Sequence, residues 1–225
     1  MVLNDYGINW LFLPASFGAG DLFGFFRLRE DILAFYIFDV MGHGIGATIT
    51  SILIHDLIDP EGKNTIITAQ DSKIYSPTEV LQKLNTYIAD RNPFQFVSII
   101  YGLIDAGSGK VTCARGGHHY PCLLKKTGEI LEIKPEGPAL GLQKDADFRV
   151  AEFEMQKGER LCLFSDGLVE CMNSDEKQFS RERLIEFLAN NTDEGLNNLS
   201  ELLFEWRGLN YFDDDISLVV IERKK

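Results

Sequence analysis

Seven apolar and aromatic residues, Ile32-Leu33-Ala34-Phe35-Tyr36-Ile37-Phe38, run straight into the carboxylate of Asp39, and Gly42, His43, Gly44 and Gly46 follow at once. A run of that composition reads as a buried strand, and burying a charge at its end is costly unless the charge finds a partner. The same juxtaposition recurs along the chain. Asp21 separates two strand-like segments after Gly18-Ala19-Gly20, Asp166 follows the apolar segment Arg160–Ser165, and Asp213-Asp214-Asp215 precedes Ile216–Glu222. Each acid alone is an ordinary turn former. Four at strand ends far apart in sequence demand a fold that can accommodate them.

The other patterns describe that fold. Strands are expected at Asn9–Ala15, Leu22–Leu28 and Ile32–Phe38, with Arg29-Glu30-Asp31 as a hairpin connection. Apolar residues at Ile45, Ile49, Ile52, Leu53 and Leu57 have helical spacing, and the helix should stop near Asp59-Pro60 because a residue before proline avoids the helical region. Glu61 to Tyr75 is polar and aperiodic, the signature of a surface loop. Ser76-Pro77-Thr78-Glu79 is a capping box opening a second helix through Leu81, Leu84 and Ile88. Phe94–Asp105, Lys110–Arg115 and Tyr120–Lys125 are expected to form an antiparallel meander. Further strands follow at Glu129–Ile133, Phe148–Phe153, Arg160–Ser165 and Ile216–Glu222, with helices at Arg181–Asn190 and Asp193–Trp206. Many strands with a few separated helices, and no repeat or linker, predict a single α+β domain over residues 1–225 rather than alternating βαβ units.

Charge narrows the function. The 225 residues carry 34 acidic against 22 basic side chains, a net charge of −12, which repels a phosphate backbone and argues against nucleic acid as a partner. No apolar stretch approaches the roughly 20 residues of a membrane span, and no secretory leader is evident. Cys113, Cys122, Cys162 and Cys171 lie in apolar contexts without a CxxC pair, the pattern of reduced core thiols in a cytoplasmic protein.

If the four acids converge, each pair repels by roughly 1 to 4 kcal/mol at effective dielectrics of 80 to 20. No arginine or lysine belongs to these motifs, so a divalent cation is the natural counter-ion. Oxygen ligands select Mg²⁺ or Mn²⁺, and two such ions would neutralise four carboxylates. A site of that kind accepts a phosphate, activates a water and stabilises an in-line displacement. Gly42 and Gly44 allow a sharp turn after Asp39, so that a backbone carbonyl, that of Val40, can face a metal.

Six motifs carry a resemblance. Gly18-Ala19-Gly20-Asp21, Phe38-Asp39-Val40-Met41-Gly42-His43-Gly44, Gly116-Gly117-His118, Gly137-Pro138-Ala139-Leu140-Gly141-Leu142, Phe164-Ser165-Asp166-Gly167-Leu168-Val169-Glu170 and Asp214-Asp215-Ile216-Ser217 occur in this order over roughly residues 9–222. The set resembles the PPM-type metal-dependent serine/threonine phosphatases, most closely the bacterial SpoIIE/RsbU branch. The resemblance implies an α-β-β-α sandwich of two antiparallel sheets flanked by helices, two Mn²⁺ or Mg²⁺ ions, and phosphoserine or phosphothreonine hydrolysis without a phosphoenzyme. By position, Asp39 would bridge the ions, the Val40 carbonyl would bind one, and Asp21, Asp166 and Asp214 would bind through carboxylates. Asp213 and Asp215 would support them. Departures from the usual pattern are Gly-Ala-Gly-Asp for Gly-Gly-Asp, Met41 for serine, Ser165 for threonine, and Arg115-Gly116-Gly117-His118 for Asn-Ala-Gly-His.

The branch implies a phosphorylated regulatory protein, such as an anti-sigma-factor antagonist, as substrate, with an upstream sensor or receiver domain and a homodimer as further expectations. The chain begins almost at the first strand, as either a catalytic fragment or a stand-alone enzyme would. His43 and His118 are expected to be structural, Phe23, Phe25 and Phe26 to be packing residues, Trp206 to face the core, and Gly137–Leu142 to be a turn rather than a nucleotide loop. Two other readings share parts of this pattern: a partner-binding module with the same fold but little turnover, and a two-metal phosphodiesterase.

Overall fold

The computed structural model describes the chain apart from residues 1, 4, 16–17, 43, 70–72, 92–94, 192–195 and 225, and of residues 2 and 3 it describes the backbone alone. The expectation for His43 lies outside the described residues.

Side-chain alternation generates the layers. Along β4 (Ile32–Val40), Leu33, Phe35 and Ile37 enter one apolar cluster, while Ala34, Tyr36, Phe38 and Val40 enter another. Along β11 (Ile216–Arg223), Val219 and Ile221 join the first cluster and Ile216, Leu218 and Val220 a third. Successive side chains of a strand point to opposite faces, so a strand apolar throughout must be covered on both. The cluster common to β4 and β11 is therefore the layer between two sheets.

Both sheets are antiparallel. One runs β3 (Leu22–Arg29), β4, β5 (Val97–Asp105), β6 (Lys110–Gly116), β9 (Val150–Glu154). The other runs β1 (Val2–Leu3), β2 (Tyr6–Leu13), β11, β10 (Arg160–Phe164), β7 (Cys122–Leu124), β8 (Ile130–Glu132). Helices α1 (Ile45–Ile58) and α2 (Pro77–Arg91) pack on the first sheet through Ile54, Ile58, Leu81 and Leu84. The second is covered by α3 (Asp166–Val169), α4 (Arg181–Asn190) and α5 (Leu196–Arg207), through Leu168, Leu184, Leu199 and Leu203. The α+β sandwich is as the sequence predicts. The capping box at α2 forms, with the Ser76 amide donating to Glu79 Oε2 (2.7 Å) and the Glu79 amide to Ser76 Oγ (3.3 Å). All four cysteines are free and buried, and no helix among the described residues is long and apolar enough to cross a membrane.

Three expectations need correction. The meander breaks after β6, because β7 pairs with β10 and β8 in the opposite sheet. Residues 117–121 make the crossing, and Gly117 (φ 70°) is required there, since a Cβ would stand 2.8 Å from the Ala139 backbone. The polar segment 61–75 is not wholly a surface loop, because Ile67 is buried against the first sheet's helices.

The third correction concerns α1. Of the apolar stripe read from its spacing, only Leu57 is buried. Ile45 is 78% exposed, and Ile49, Ile52 and Leu53 are also exposed, whereas Ala47, Thr50, Ser51, Ile54 and Ile58 face the sheet. Small and hydroxyl side chains bring the helix close to the glycine-rich strand ends, with Ser51 Oγ donating to the Gly20 carbonyl at 2.7 Å. Ile54→Ala should therefore cost about 2–5 kcal/mol and Ile49→Gln should stay within about 0.5 kcal/mol of wild type. Denaturant unfolding checks the pair, and the reverse order would mean that the stripe is the buried face.

Candidate metal centre

The alternation that builds the inter-sheet layer also aims the acids. Asp39 has the parity of Leu33, Phe35 and Ile37, so it continues their row at the end of the sandwich. It belongs to the strand, which extends through Val40 rather than ending at Phe38. Ser98, opposite Asp39 in register, has the parity of Ile100 on β5. Ser217 and Asp215 continue the Val219–Ile221 row of the other sheet. Apolar layers thus give way to a polar end lined by both sheets.

The structure brings Asp39, Asp166 and Asp214 around one cavity of about 340 Å³, with Met41, Ser98 and Asp213 also on its wall. Asp166 opens the single turn α3 rather than ending a strand, and its Oδ1 accepts the Gly167 amide at 2.9 Å. Asp214 Oδ1 accepts the Asp215 amide at 2.8 Å. Asp21 is set apart from this wall: it is 3% exposed and borders an adjoining apolar hollow with Phe12, Phe23 and Ile52. It remains electrostatically coupled to Asp39, and its Oδ2 is buried without a hydrogen-bond partner.

Three consecutive acids have three different partners. Asp213 pairs with Arg207 at 2.8 Å. Asp214 faces the cavity. Asp215 turns inward and accepts the backbone amides of Ala15 and Gly20, each at 2.8 Å, so it anchors the loop that delivers Asp21.

Burial is the main cause of the unusual acidities here. It raises the Asp21 carboxyl to about 8, with Asp39 and Asp215 adding repulsion and the Ser217 and Ser165 hydroxyls opposing it. It raises Asp39 to about 7, reinforced by Asp166, Asp214 and Asp215. Asp214 is also raised, first by burial, with the Asp215 amide opposing and Asp166 and Asp215 repelling. Among the described residues none of Asp21, Asp39, Asp166 and Asp214 is ion-paired with a lysine, arginine or histidine.

A divalent cation fits these residues. The donors are all oxygens, one of them orphaned and buried, and none of them pairs with a basic side chain among the described residues. Gly20 keeps space beside them, since a Cβ there would stand 2.9 Å from the Val40 carbonyl and 3.3 Å from Asp39 Oδ1. No three histidine, cysteine or acidic groups among the described residues stand ready as the ligands of one ion.

His118 is buried, shares a 2.6 Å hydrogen bond between its Nδ1 and Ser98 Oγ, and is held down to about 3 by burial and by neighbouring His119 and Arg115. It stays neutral and fits a loop-positioning role. Sequence reasoning passed over two groups beside it. Ser98 is the hydroxyl-bearing interruption of an otherwise apolar strand. The second, His119, stacks on Phe164 (5.6 Å between centroids) and lines a cavity with Asp39 and Asp166. The doubled histidine after Gly116-Gly117 was its signal.

The family model described as Stage II sporulation protein E (SpoIIE) matches residues 29–224. The chain belongs to the SpoIIE family. This SpoIIE-family chain is 25% identical over 225 residues to phosphoserine phosphatase RsbU of Bacillus subtilis (strain 168), a match covering 96% of the chain and 63% of the relative. It is 27% identical over 244 residues to Protein IcfG of Synechocystis sp., covering 98% and 38%. The chain spans less than two thirds of either relative. Its fold matches the SiaA-PP2C domain of Pseudomonas aeruginosa with a TM-score of 0.79 at 18% identity, covering 97% of the chain and 86% of that domain. It matches RsbX, solved in complex with magnesium, with a TM-score of 0.66 at 16% identity, covering 96% and 94%. The expected PPM-type phosphatase domain of the SpoIIE/RsbU branch is borne out at the level of family and fold.

The raised acidities set a direction with pH. The metal-free folded protein keeps protons on Asp21 and Asp39 up to about 8 and 7, whereas unfolded carboxylates lose theirs near 4. For these two groups the folded state binds more protons over that window, while buried, neutral His118 opposes them below the ordinary histidine range. Stability therefore falls most clearly as pH rises from about 6.5 to about 8 and levels off above. Thermal melts in chelator should show this fall, Mn²⁺ or Mg²⁺ should reverse it most at the alkaline end, and Asp21→Asn should flatten it. A metal-free melting temperature that rises between about pH 6.5 and 8 would contradict the assignment.

Proposed function

We propose that this domain is a metal-dependent phosphoprotein phosphatase acting on phosphoserine or phosphothreonine. One observation carries the reading: in a SpoIIE-family chain, Asp39, Asp166 and Asp214 share a cavity at the open end of the sandwich, with Asp21 behind them, and none forms an ion pair with a basic side chain among the described residues. In this reading Asp21, Asp39, Asp166, Asp214 and the Val40 carbonyl would hold two Mn²⁺ or Mg²⁺ ions. When bound, the ions supply charge neutralisation and Lewis acidity toward water and phosphate.

The protein's own part is placement. Strand parity fixes Asp39 and Ser98, the α3 turn fixes Asp166, and Asp215 ties the Asp21 loop to the second sheet. The apolar layer behind these groups excludes water and strengthens every charge interaction in front of it. His118, neutral and bonded to Ser98, holds the wall of the cavity and needs no proton of its own.

The partner assignments rest on the relatives. RsbU is a phosphoserine phosphatase by name, and by analogy the substrate here is a phosphorylated regulatory protein of the anti-sigma-factor antagonist type, with a sensor or receiver domain and self-association as further partners. The reduced, buried cysteines suit a cytoplasmic setting.

With Mn²⁺ the protein should hydrolyse a phosphoserine peptide and p-nitrophenyl phosphate, and Asp39→Asn should lower kcat at least about a hundredfold. Equal rates for the two proteins would defeat the enzymatic reading and favour a binding module. Faster turnover of DNA than of phosphopeptide would favour a phosphodiesterase.

A further inference from the structure

We propose that Arg115 binds the non-bridging oxygens of the substrate's phosphoryl group, an inference that rests on the phosphatase reading. Arg115 lies on β6 just before the chain crosses between sheets, and it lines a cavity of about 260 Å³ together with Asp39, Asp166, Ser98, His119 and Tyr120. Its guanidinium sits 4.5 Å from the Tyr120 ring centroid. Nε donates to the His118 carbonyl and Nη1 to the Gly137 carbonyl (3.4 Å). Nη2 makes no hydrogen bond to a described residue, and no described carboxylate pairs with the group.

An arginine beside acids would ordinarily be spent on one of them. Arg207 shows that outcome: it lines a neighbouring cavity with Asp214, but its charge is committed to Asp213 at 2.8 Å. The charge of Arg115 is unspent. Carbonyl acceptors orient two of its nitrogens without neutralising them, and the Tyr120 ring restrains the plane, so little side-chain freedom remains to be lost on binding. The positive charge it presents shares a cavity with Asp39 and Asp166, where the phosphatase reading puts the reacting phosphate. Two dications would offset the carboxylates and leave the charge of a dianionic phosphate monoester itself to be met, and a guanidinium fork matches its oxygens.

The test uses the full chain with Mn²⁺ and compares wild type, Arg115→Met and Arg115→Lys for inorganic phosphate, both as a competitive inhibitor and by calorimetry. Arg115→Met should weaken phosphate about tenfold to a hundredfold and raise KM for phosphopeptide by a similar factor, with Mn²⁺ affinity unchanged. Arg115→Lys, which keeps the charge and loses the fork, should recover part of the loss. Phosphate affinity within twofold of wild type in Arg115→Met overturns the inference. So does an Arg115→Lys as weak as Arg115→Met, which would make the side chain only a clamp on the two carbonyls. If Arg115→Met does not fold, phenylglyoxal modification of wild-type Arg115 decides: phosphate should protect it, and equal modification with and without phosphate overturns the inference. A wild type that binds Mn²⁺ yet hydrolyses no phosphopeptide overturns the phosphatase reading and this inference together, whereas an active wild type with an unaffected Arg115→Met removes this inference alone.

Discussion

Carboxylates that continue the apolar rows of two sheets, beyond the point where those rows stop, are the constraint on which this molecule turns. Alternation along β4 sends Leu33, Phe35 and Ile37 between the sheets, and Asp39 must follow them. It cannot be moved to solvent without a one-residue slip that would expose the whole row. The packing that stabilises the sandwich therefore also holds an acid where water is scarce. Without a cation the group answers by keeping its proton, which is why Asp39 and Asp21 are raised so far. The stability of the layers and the charge of the site are two consequences of one register.

The loops around this end convert that constraint into a chamber. Asp215, from the same triplet as Asp214, secures the backbone at Ala15 and Gly20 and so carries Asp21 to the sandwich end. Ser51 on α1 accepts closeness to the same segment and donates to Gly20. The crossing at residues 117–121 supplies the opposite wall with His118 and His119, beside Arg115 at the end of β6. Acidic groups on one side and an unspent guanidinium on the other make a surface suited to an anion accompanied by cations.

Much of this was legible in the sequence because it depends on short-range patterns. Apolar runs located the strands, Ser76 and Glu79 announced α2, and glycines flanking acids pointed to the candidate site. Other features depend on partners that spacing does not reveal. The Ile45, Ile49, Ile52 and Leu53 stripe has good helical period, yet close approach to a glycine-rich strand end favours Ala47, Thr50 and Ser51 on the inner face. Helical spacing identifies a face but does not say which face is covered when both carry isoleucines. The meander failed for a similar reason: Cys122–Leu124 reads as the next strand, but nothing local tells which sheet receives it. The four acids could be named, whereas the separation of Asp21 from the cavity shared by the other three is set by long-range packing.

The central claim is that these acids persist without basic partners because dications belong among them. A crystal grown with Mn²⁺ and measured for anomalous scattering at the manganese edge tests it directly. The account predicts two strong peaks at the sandwich end, with oxygens of Asp39, Asp166, Asp214 and Asp21 drawn around them. Crystals without a peak there, or with manganese bound only to surface carboxylates elsewhere, would contradict it.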